Sequence, residues 1–157
     1  MASASQTARA SATWFVSHSS GDGTIVRRLR IALADLDTQL MIDSREFCGG
    51  DPLETTIRAA IERSAGVLVL VSPRAKDSAW VGKQLKYALT VQKQRGGAAC
   101  FPVVPLLLDG APLGAFAALF DEEPIRIAIA SGELDAVLHD ILVALRRRLP
   151  TDADPQA

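Results

Sequence analysis

The segment "VLVLV" at residues 67–71 decides the fold class. Its five apolar residues show no polar alternation, which is typical of a strand that is covered on both faces. Such strands lie in the middle of parallel sheets with helices packed on either side. We therefore expect a buried central strand here and an α/β fold around it.

Strand and helix patterns alternate along the chain on both sides of this segment. Apolar runs predict four more strands, at residues 13–17, 39–43, 101–108 and 124–129. Apolar residues at helical spacing predict four helices, around residues 25–36, 53–61, 78–95 and 134–145. The third of these helices is expected to be capped by Asp77 or Ser78 and to end before Gly96 and Gly97. Pro102 and Pro105 predict that the fourth strand is irregular or peripheral. Together the elements predict a single flavodoxin-like α/β domain, a five-stranded parallel sheet with helices on both faces.

Composition narrows the class of protein further. The chain has 157 residues, 48% of them hydrophobic and 22% charged, which suits one globular domain. No apolar run approaches the roughly 20 residues that span a bilayer, so no membrane segment is expected. The formal net charge of −1 argues against direct binding of nucleic acid. Two cysteines without metal-ligand spacing predict no metal site and indicate a reducing compartment, hence the cytoplasm.

The two ends of the chain differ in composition from the rest. Residues 1–12 are small and polar, lack the apolar segment of a secretory signal, and are expected to be a disordered lead-in. The domain is expected to span residues 13–149. Residues 150–157 are interpreted as a tail, or as the start of a linker to a C-terminal sensor domain absent from this chain.

Polar residues follow the first three predicted strands at the point where each strand ends. They are Ser17, His18, Ser19 and Asp22 after the first strand, Asp43, Ser44, Arg45 and Glu46 after the second, and Ser72 after the third. Ligands of open parallel sheets bind beyond the carboxyl ends of the strands. These side chains are therefore expected to converge on one edge of the sheet.

Two other folds share this alternation and are disfavoured by particular residues. A phosphoacceptor receiver domain needs acidic residues at the end of its first strand and an aspartate after its third, where this chain has Ser17 and Ser72. A small Rossmann domain needs a GxGxxG loop after its first strand, and this sequence has none there.

Four stretches, in order, resemble the Toll/interleukin-1 receptor (TIR) domains, and more closely their bacterial members. "FVSHSSGD" is similar to the family's first strand and loop, and "MIDSREFCGGDPL" to the second strand with the long loop used in self-association. "VLVLVSP" resembles the third strand and "SAWVGKQLKYAL" the helix that follows it. The resemblance covers residues 13–149 and implies the TIR fold.

The resemblance also implies an activity. Enzymatic members of the family cleave the bond between nicotinamide and ribose in NAD+, which is their substrate rather than a cofactor. They use a glutamate in the motif that resembles "WVGKQL", and the matching residue here is Gln84. Departure of nicotinamide leaves an oxocarbenium-like ribose that a carboxylate stabilises, whereas an amide supplies no charge. The implied function is an NAD+ glycohydrolase of bacterial antiphage immunity that is weak or inactive in this form.

Three interpretations of Gln84 stay open from the sequence. Gln84 can be a solvated helix residue in a domain that never catalysed a reaction. It can mark a naturally degenerate enzyme that is retained as a scaffold. In the favoured interpretation, glutamine replaces the glutamate of an active lineage, naturally or by design, and preserves the binding pocket while turnover stops.

The loop "SHSSGDG" is a candidate for binding the pyrophosphate of NAD+. Backbone N–H groups and hydroxyls such as that of Ser19 can hold the pyrophosphate at the start of the following helix. His18 can form a hydrogen bond with the ligand or can only cap the edge of the site. An ordinary turn from strand to helix, capped by Asp22, is the alternative explanation of the same residues. The resemblance favours the binding role.

Further candidates for contacts with NAD+ lie on the second loop and at the start of the motif helix. Asp43 can contact ribose or anchor its loop, and Arg45 is a second polar candidate there. Phe47 and Trp80 can pack against the adenine or nicotinamide ring, with a core role as the alternative for Trp80. Met41 stands where the family often has an aromatic residue, and this departure weakens the case for stacking at that position.

A second class of function is assembly without chemistry, because many TIR domains act as interaction modules. The loop that would dock one protomer on the next is residues 44–52, with Ser44 at its start and Pro52 at its end. Glycines at positions 49 and 50 allow unusual backbone angles there. Self-association through this loop is expected either to complete the NAD+ site and switch it on, or to be the function itself.

Overall fold

The structure is a computed structural model, and it describes residues 13–34, 39–42, 53–73, 75, 78–122, 124, 126–130 and 132. The strands are β1 (Thr13–Ser17), β2 (Gln39–Ile42), β3 (Gly66–Val71), β4 (Val103–Leu108) and β5 (Ile127–Ile129). The helices are α1 (Gly23–Ala34), α2 (Leu53–Arg63) and α3 (Ala79–Gln94), with short 3₁₀ turns at Ser20–Asp22 and Gly114–Leu119. The predicted last helix, the lead-in and the tail lie outside the described residues.

All five strands are parallel and lie in the order β2-β1-β3-β4-β5. This flavodoxin-like order confirms the predicted fold class, and its switch point lies between β1 and β3. The two strands are in register, with Phe15 opposite Val67 and Ser17 opposite Val69. Every residue of β3 is buried, as its uninterrupted apolar sequence predicts. The carboxyl ends of β1 and β3 therefore lie side by side.

The two faces of the sheet are covered by different helices, and the alternation along β3 divides its residues between them. The valines of β3 pack with apolar residues of α2 and α3 on one face. Leu68 and Leu70 pack with Trp14, Val16 and the buried stripe of α1 on the other face. The opposite side of α1 exposes Arg27, Arg28 and Arg30.

A glycine is required where β3 begins. A Cβ atom placed on Gly66 would lie 2.5 Å from the ring of Trp14 and 2.6 Å from the carbonyl oxygen of Pro102. No real Cβ atom makes contacts this short with a core side chain and a backbone oxygen, so a larger residue would displace β1 or β4. The close approach at Gly66 fixes the amino ends of the three central strands.

The prediction that the fourth strand is irregular or peripheral was wrong. β4 lies between β3 and β5 and is largely buried. Pro105 pairs with Val69 of β3, and the described pairing with β5 begins one residue later, at Leu106. Because a residue of a parallel strand bonds to one neighbour at a time, the missing N–H of Pro105 costs nothing where β5 has not yet begun.

Both ends of α3 are fixed by local signals. Ser78 is the N-cap, and its Oγ accepts a hydrogen bond from the backbone N–H of Val81 at 3.2 Å. At the other end Gly96 and Gly97 adopt positive φ angles of 100° and 111°. The N–H of Gly97 returns to the carbonyl of Gln92 at 2.9 Å, which completes a Schellman-type ending. The expected caps are confirmed, and they set the register that carries Gln84 to the sheet edge.

Candidate functional site

A buried hydrogen bond joins α3 to the end of β1. Ser17 is the last residue of β1 and is fully buried, while Gln84, in the second turn of α3, is only 4% exposed. The Oγ of Ser17 donates to Oε1 of Gln84 at 2.5 Å. This bond places the side chain of Gln84 at the carboxyl end of β1, next to the switch point of the sheet, where parallel α/β folds bind ligands.

The interpretation of Gln84 as a solvated helix residue was wrong. Gln84 belongs to the buried stripe of α3, together with Val81, Leu85, Ala88 and Val91. Spacings of three and four residues put these side chains on one face of a helix, and that face packs on the sheet. A polar amide at such a position needs hydrogen-bond partners, because water does not reach it.

The amide of Gln84 is only partly satisfied. Its oxygen accepts the bond from Ser17, but its nitrogen Nε2 is buried and has no hydrogen-bond partner among the described residues. A buried donor without a partner costs about 1–3 kcal/mol. Groups of this kind are rare in folded proteins and are often found at binding sites.

A second buried cluster, centred on Asp22, ties the loop after β1 to the end of β3. Asp22 is 3% exposed and is the one buried carboxyl group within the described part of the chain. Its Oδ2 accepts hydrogen bonds from Ser72 at 2.6 Å and from Ser19 at 2.9 Å. Ser72 in turn accepts from the N–H of Ala75 at 3.1 Å. The cluster holds the two loops of the switch point together.

The role of Asp22 is more extensive than that of the helix cap suggested by the sequence. Asp22 ends the 3₁₀ turn before α1 and reaches Ser72, fifty residues further along the chain. The usable signal was the pair of polar residues, Asp22 and Ser72, placed directly after two strands. Once those strands are known to be neighbours, their loops must meet.

His18 is buried at the same edge, and its ring is held by its own loop. Nδ1 lies 2.8 Å from the carbonyl oxygen of Ser19. Since a carbonyl oxygen can only accept, Nδ1 carries the proton of this bond. Ser19 thus contributes its carbonyl to His18 and its hydroxyl to Asp22, which gives both residues a structural role beside the predicted contact with NAD+.

The side chains at this edge of the sheet can form hydrogen bonds, but residue 84 carries an amide and not a carboxylate. Hydroxyls, an imidazole and an amide can orient a polar ligand, whereas stabilising a developing sugar cation calls for a negative charge or a strong acceptor at the reacting centre. The carboxyl group of Asp22 already accepts two hydroxyl protons on one oxygen. The described groups at this edge of the sheet can therefore orient a polar ligand.

Comparison with known families agrees with this geometry. The profile of the TIR domain family matches residues 15–131, well over half of the chain. The chain belongs to the TIR domain family. The match includes β1 from Phe15 onward, β3 and all of α3, so the strand ends and the helix that carry Ser17, Ser72 and Gln84 lie within the family domain.

The TIR fold is also supported by a solved structure. The TIR domains of "the activated Roq1 resistosome directly recognizing the pathogen effector XopQ" are 20% identical to this chain, with a TM-score of 0.55. The likeness covers 89% of this chain and 82% of that chain. At this identity the likeness shows the fold alone. No curated protein matches this chain.

The remaining residues that were predicted to contact NAD+ or to mediate self-association fall into two groups. Trp80 is half-buried and packs against the core between the sheet and α2 and α3, in keeping with the core role. Asp43, Arg45, Phe47 and the loop of residues 44–52 lie outside the described residues, so their roles stay predictions.

Two further features bear on what the domain can hold. Within the described residues no group of three or more histidine, cysteine, aspartate or glutamate side chains is arranged to bind a metal ion. None of the described helices is long and apolar enough to cross a membrane.

Proposed function

We propose that this TIR domain is of the NAD+-cleaving type, in which nicotinamide is released from ribose, and that Gln84 occupies the position of the catalytic glutamate. Turnover by the chain as it stands is weak or absent. The wider role in this proposal is that of a bacterial antiphage effector in the cytoplasm. The observation that carries the proposal is the burial of the Gln84 amide at the carboxyl end of β1, with a polar nitrogen that no described residue satisfies.

The amide explains why the activity is expected to be low. A carboxylate at position 84 would place a negative charge beside the ribose as the glycosidic bond breaks. Glutamine has nearly the same shape but no charge. By analogy with the loss of one preorganised electrostatic group, the expected deficit is about 10²- to 10³-fold in rate, about 3–4 kcal/mol.

Self-association is part of the proposal. The loop of residues 44–52 would dock one protomer on the next and complete the NAD+ site, and a C-terminal sensor domain outside this chain would control that step. The similar Roq1 structure is described as an activated resistosome, which supports an assembly role for domains of this fold. The products, ADP-ribose or a cyclic isomer, depend on whether water or the adenine reaches the ribose cation.

The test is NAD+ consumption with product analysis by the unmodified chain and by Gln84→Glu, both clustered artificially on a multivalent support. The expected result is nicotinamide release by Gln84→Glu at a rate about 10²- to 10³-fold above that of the unmodified chain. Gln84→Leu is the matched control, since it removes the polar group without adding charge and should stay inactive. Silence of all three forms under verified clustering would refute the enzyme proposal.

A non-catalytic assembly module is the second candidate function. It is favoured by the bond between Ser17 and Gln84, since a glutamine that fastens a helix to a strand has a use without any ligand. In that case Gln84→Glu would lose stability and gain no activity. Changes in the loop of residues 44–52 would then abolish assembly while leaving the folded monomer intact.

A further inference from the structure

The amide of Gln84 presents a donor, rather than an acceptor, as its free group. A primary amide carries one oxygen with two lone pairs and one nitrogen with two protons. The short bond from Ser17 occupies a lone pair of Oε1, whereas both protons of Nε2 are without a partner among the described residues. The unmet requirement of this buried side chain is therefore an acceptor atom.

The helix around Gln84 adds to this preference. Gln84 lies near the amino end of α3, and the first turn of that helix holds no acidic residue. The N–H groups at a helix amino terminus carry partial positive charge, which favours acceptor atoms nearby. Ser78 accepts a hydrogen bond from one of these groups, the N–H of Val81. Its hydroxyl is uncharged, so the partial positive charge at this end of the helix remains.

We infer that Gln84 holds the ligand of this site by donating a hydrogen bond from Nε2 to a ligand oxygen, so that the site selects an acceptor where glutamate would select a donor. The inference rests on the proposed NAD+ site and concerns the polarity of one contact within it. A carboxylate can only accept, so it binds a ribose hydroxyl through the hydroxyl proton. An amide nitrogen can only donate, so it binds the same hydroxyl through its oxygen.

This reversal predicts a different pattern of ligand selection. A hydroxyl satisfies either partner, since it both donates and accepts. A methyl ether keeps the oxygen as an acceptor but has no proton to donate, and a deoxy position offers neither. The site with Gln84 should therefore tolerate the ether and reject the deoxy ligand.

The experiment measures dissociation constants by calorimetry on the clustered, unmodified chain. The ligands are NAD+ and analogues altered at either hydroxyl of the nicotinamide ribose, as the methyl ether or as the deoxy compound. At the hydroxyl that meets Gln84, we expect the ether to bind within about threefold of NAD+ and the deoxy compound about tenfold more weakly, the value of one hydrogen bond. Gln84→Met has similar volume and no N–H group, so it should bind NAD+ and the deoxy compound alike.

The outcomes distinguish failure of the donor assignment from failure of the proposed function. If NAD+ binds and the ether is as weak as the deoxy compound at both positions, the donor assignment is wrong and the proposed function stands. The donor assignment is equally wrong if Gln84→Met still discriminates against the deoxy compound. If NAD+ binds to neither the unmodified chain nor Gln84→Glu, the proposed function fails and the inference fails with it.

Discussion

Two of the side-chain contacts that join helix α3 to its neighbours have opposite character. At its amino end Gln84 meets Ser17 of β1 inside the molecule, and one of the polar atoms of Gln84 is left over. Less than one turn further on, Tyr87 meets Glu62 of α2 at the surface, and cationic side chains surround the pair. A contact that serves packing alone has no reason to leave a buried donor unused, so the difference supports the proposed contact between Gln84 and a ligand.

The surface contact between Tyr87 and Glu62 is supported by several neighbouring interactions. The hydroxyl of Tyr87 donates to the carboxylate of Glu62, and the guanidinium of Arg58 lies 5.2 Å from the centre of the Tyr87 ring. Arg95 donates to the backbone carbonyl of Glu62 and lies 4.9 Å from the ring centre of Phe101. These contacts hold α2, α3 and the segment before β4 together, and apart from the buried ring of Phe101 the groups involved are at least partly exposed to water.

The largest expected effect on stability follows from removing the buried carboxyl group of Asp22. Asp22→Ala removes the acceptor of two buried hydroxyls, from Ser19 and Ser72, and should lower the free energy of unfolding by about 3 kcal/mol. Urea denaturation measures the loss. The matched control is Asp121→Ala, which breaks an ion pair with Lys93 in which both side chains are 76% exposed. That change should cost about 0.5 kcal/mol or less, and equal losses would contradict the assigned role of Asp22.

A smaller effect is expected at the contact between Ser17 and Gln84. Ser17→Ala leaves Oε1 of Gln84 buried and unpaired in addition to Nε2, and should cost about 1–3 kcal/mol. Adding Gln84→Met removes both unpaired atoms while keeping the volume, so the double variant should recover most of that loss. Thermal unfolding of the four forms gives the coupling between the two residues. Additive losses would mean that the bond contributes nothing to the folded state.

The sequence predicts much of the framework that positions these contacts. The apolar run of β3, the cap at Ser78 and the glycines after α3 each specify their element locally, and the structure confirms all three. The burial of Gln84 was also available, because its spacing from Val81 and Ala88 places it on the apolar face.

The contacts between distant residues could not be predicted in the same way. Ser17 and Gln84 are 67 residues apart, and no periodic pattern encodes which hydroxyl meets which amide across a sheet. The position of β4 was missed for a related reason. Whether Pro105 harms a strand depends on how far the neighbouring strand extends, which is a property of β5 rather than of β4.

The smallest effect concerns the surface contact and its dependence on pH. The hydrogen bond to Glu62 is the first cause that raises the pKa of Tyr87 above its ordinary value of 10.0, followed by burial and the negative charge of Glu62. A raised pKa in the folded state means that this contact stabilises the protein below about pH 10, and that the contribution is lost as the pH rises through the folded pKa. The chain contains a single tyrosine, so phenolate absorbance reports Tyr87 alone.

Spectrophotometric titration of the folded chain should therefore give a midpoint above 10, and Glu62→Gln should lower it, because the amide removes the negative charge that opposes ionisation. Asp121→Asn serves as the control for the loss of one surface charge and should leave the midpoint in place. The contact between Tyr87 and Glu62 lies at the surface, whereas the Gln84 amide is buried. The affinity of the clustered chain for NAD+ should therefore be the same with Glu62→Gln as without it. A loss of NAD+ binding in that variant would show that the surface contact supports the site. The contact of Tyr87 with Glu62 and the contact of Gln84 with Ser17 would then not be independent.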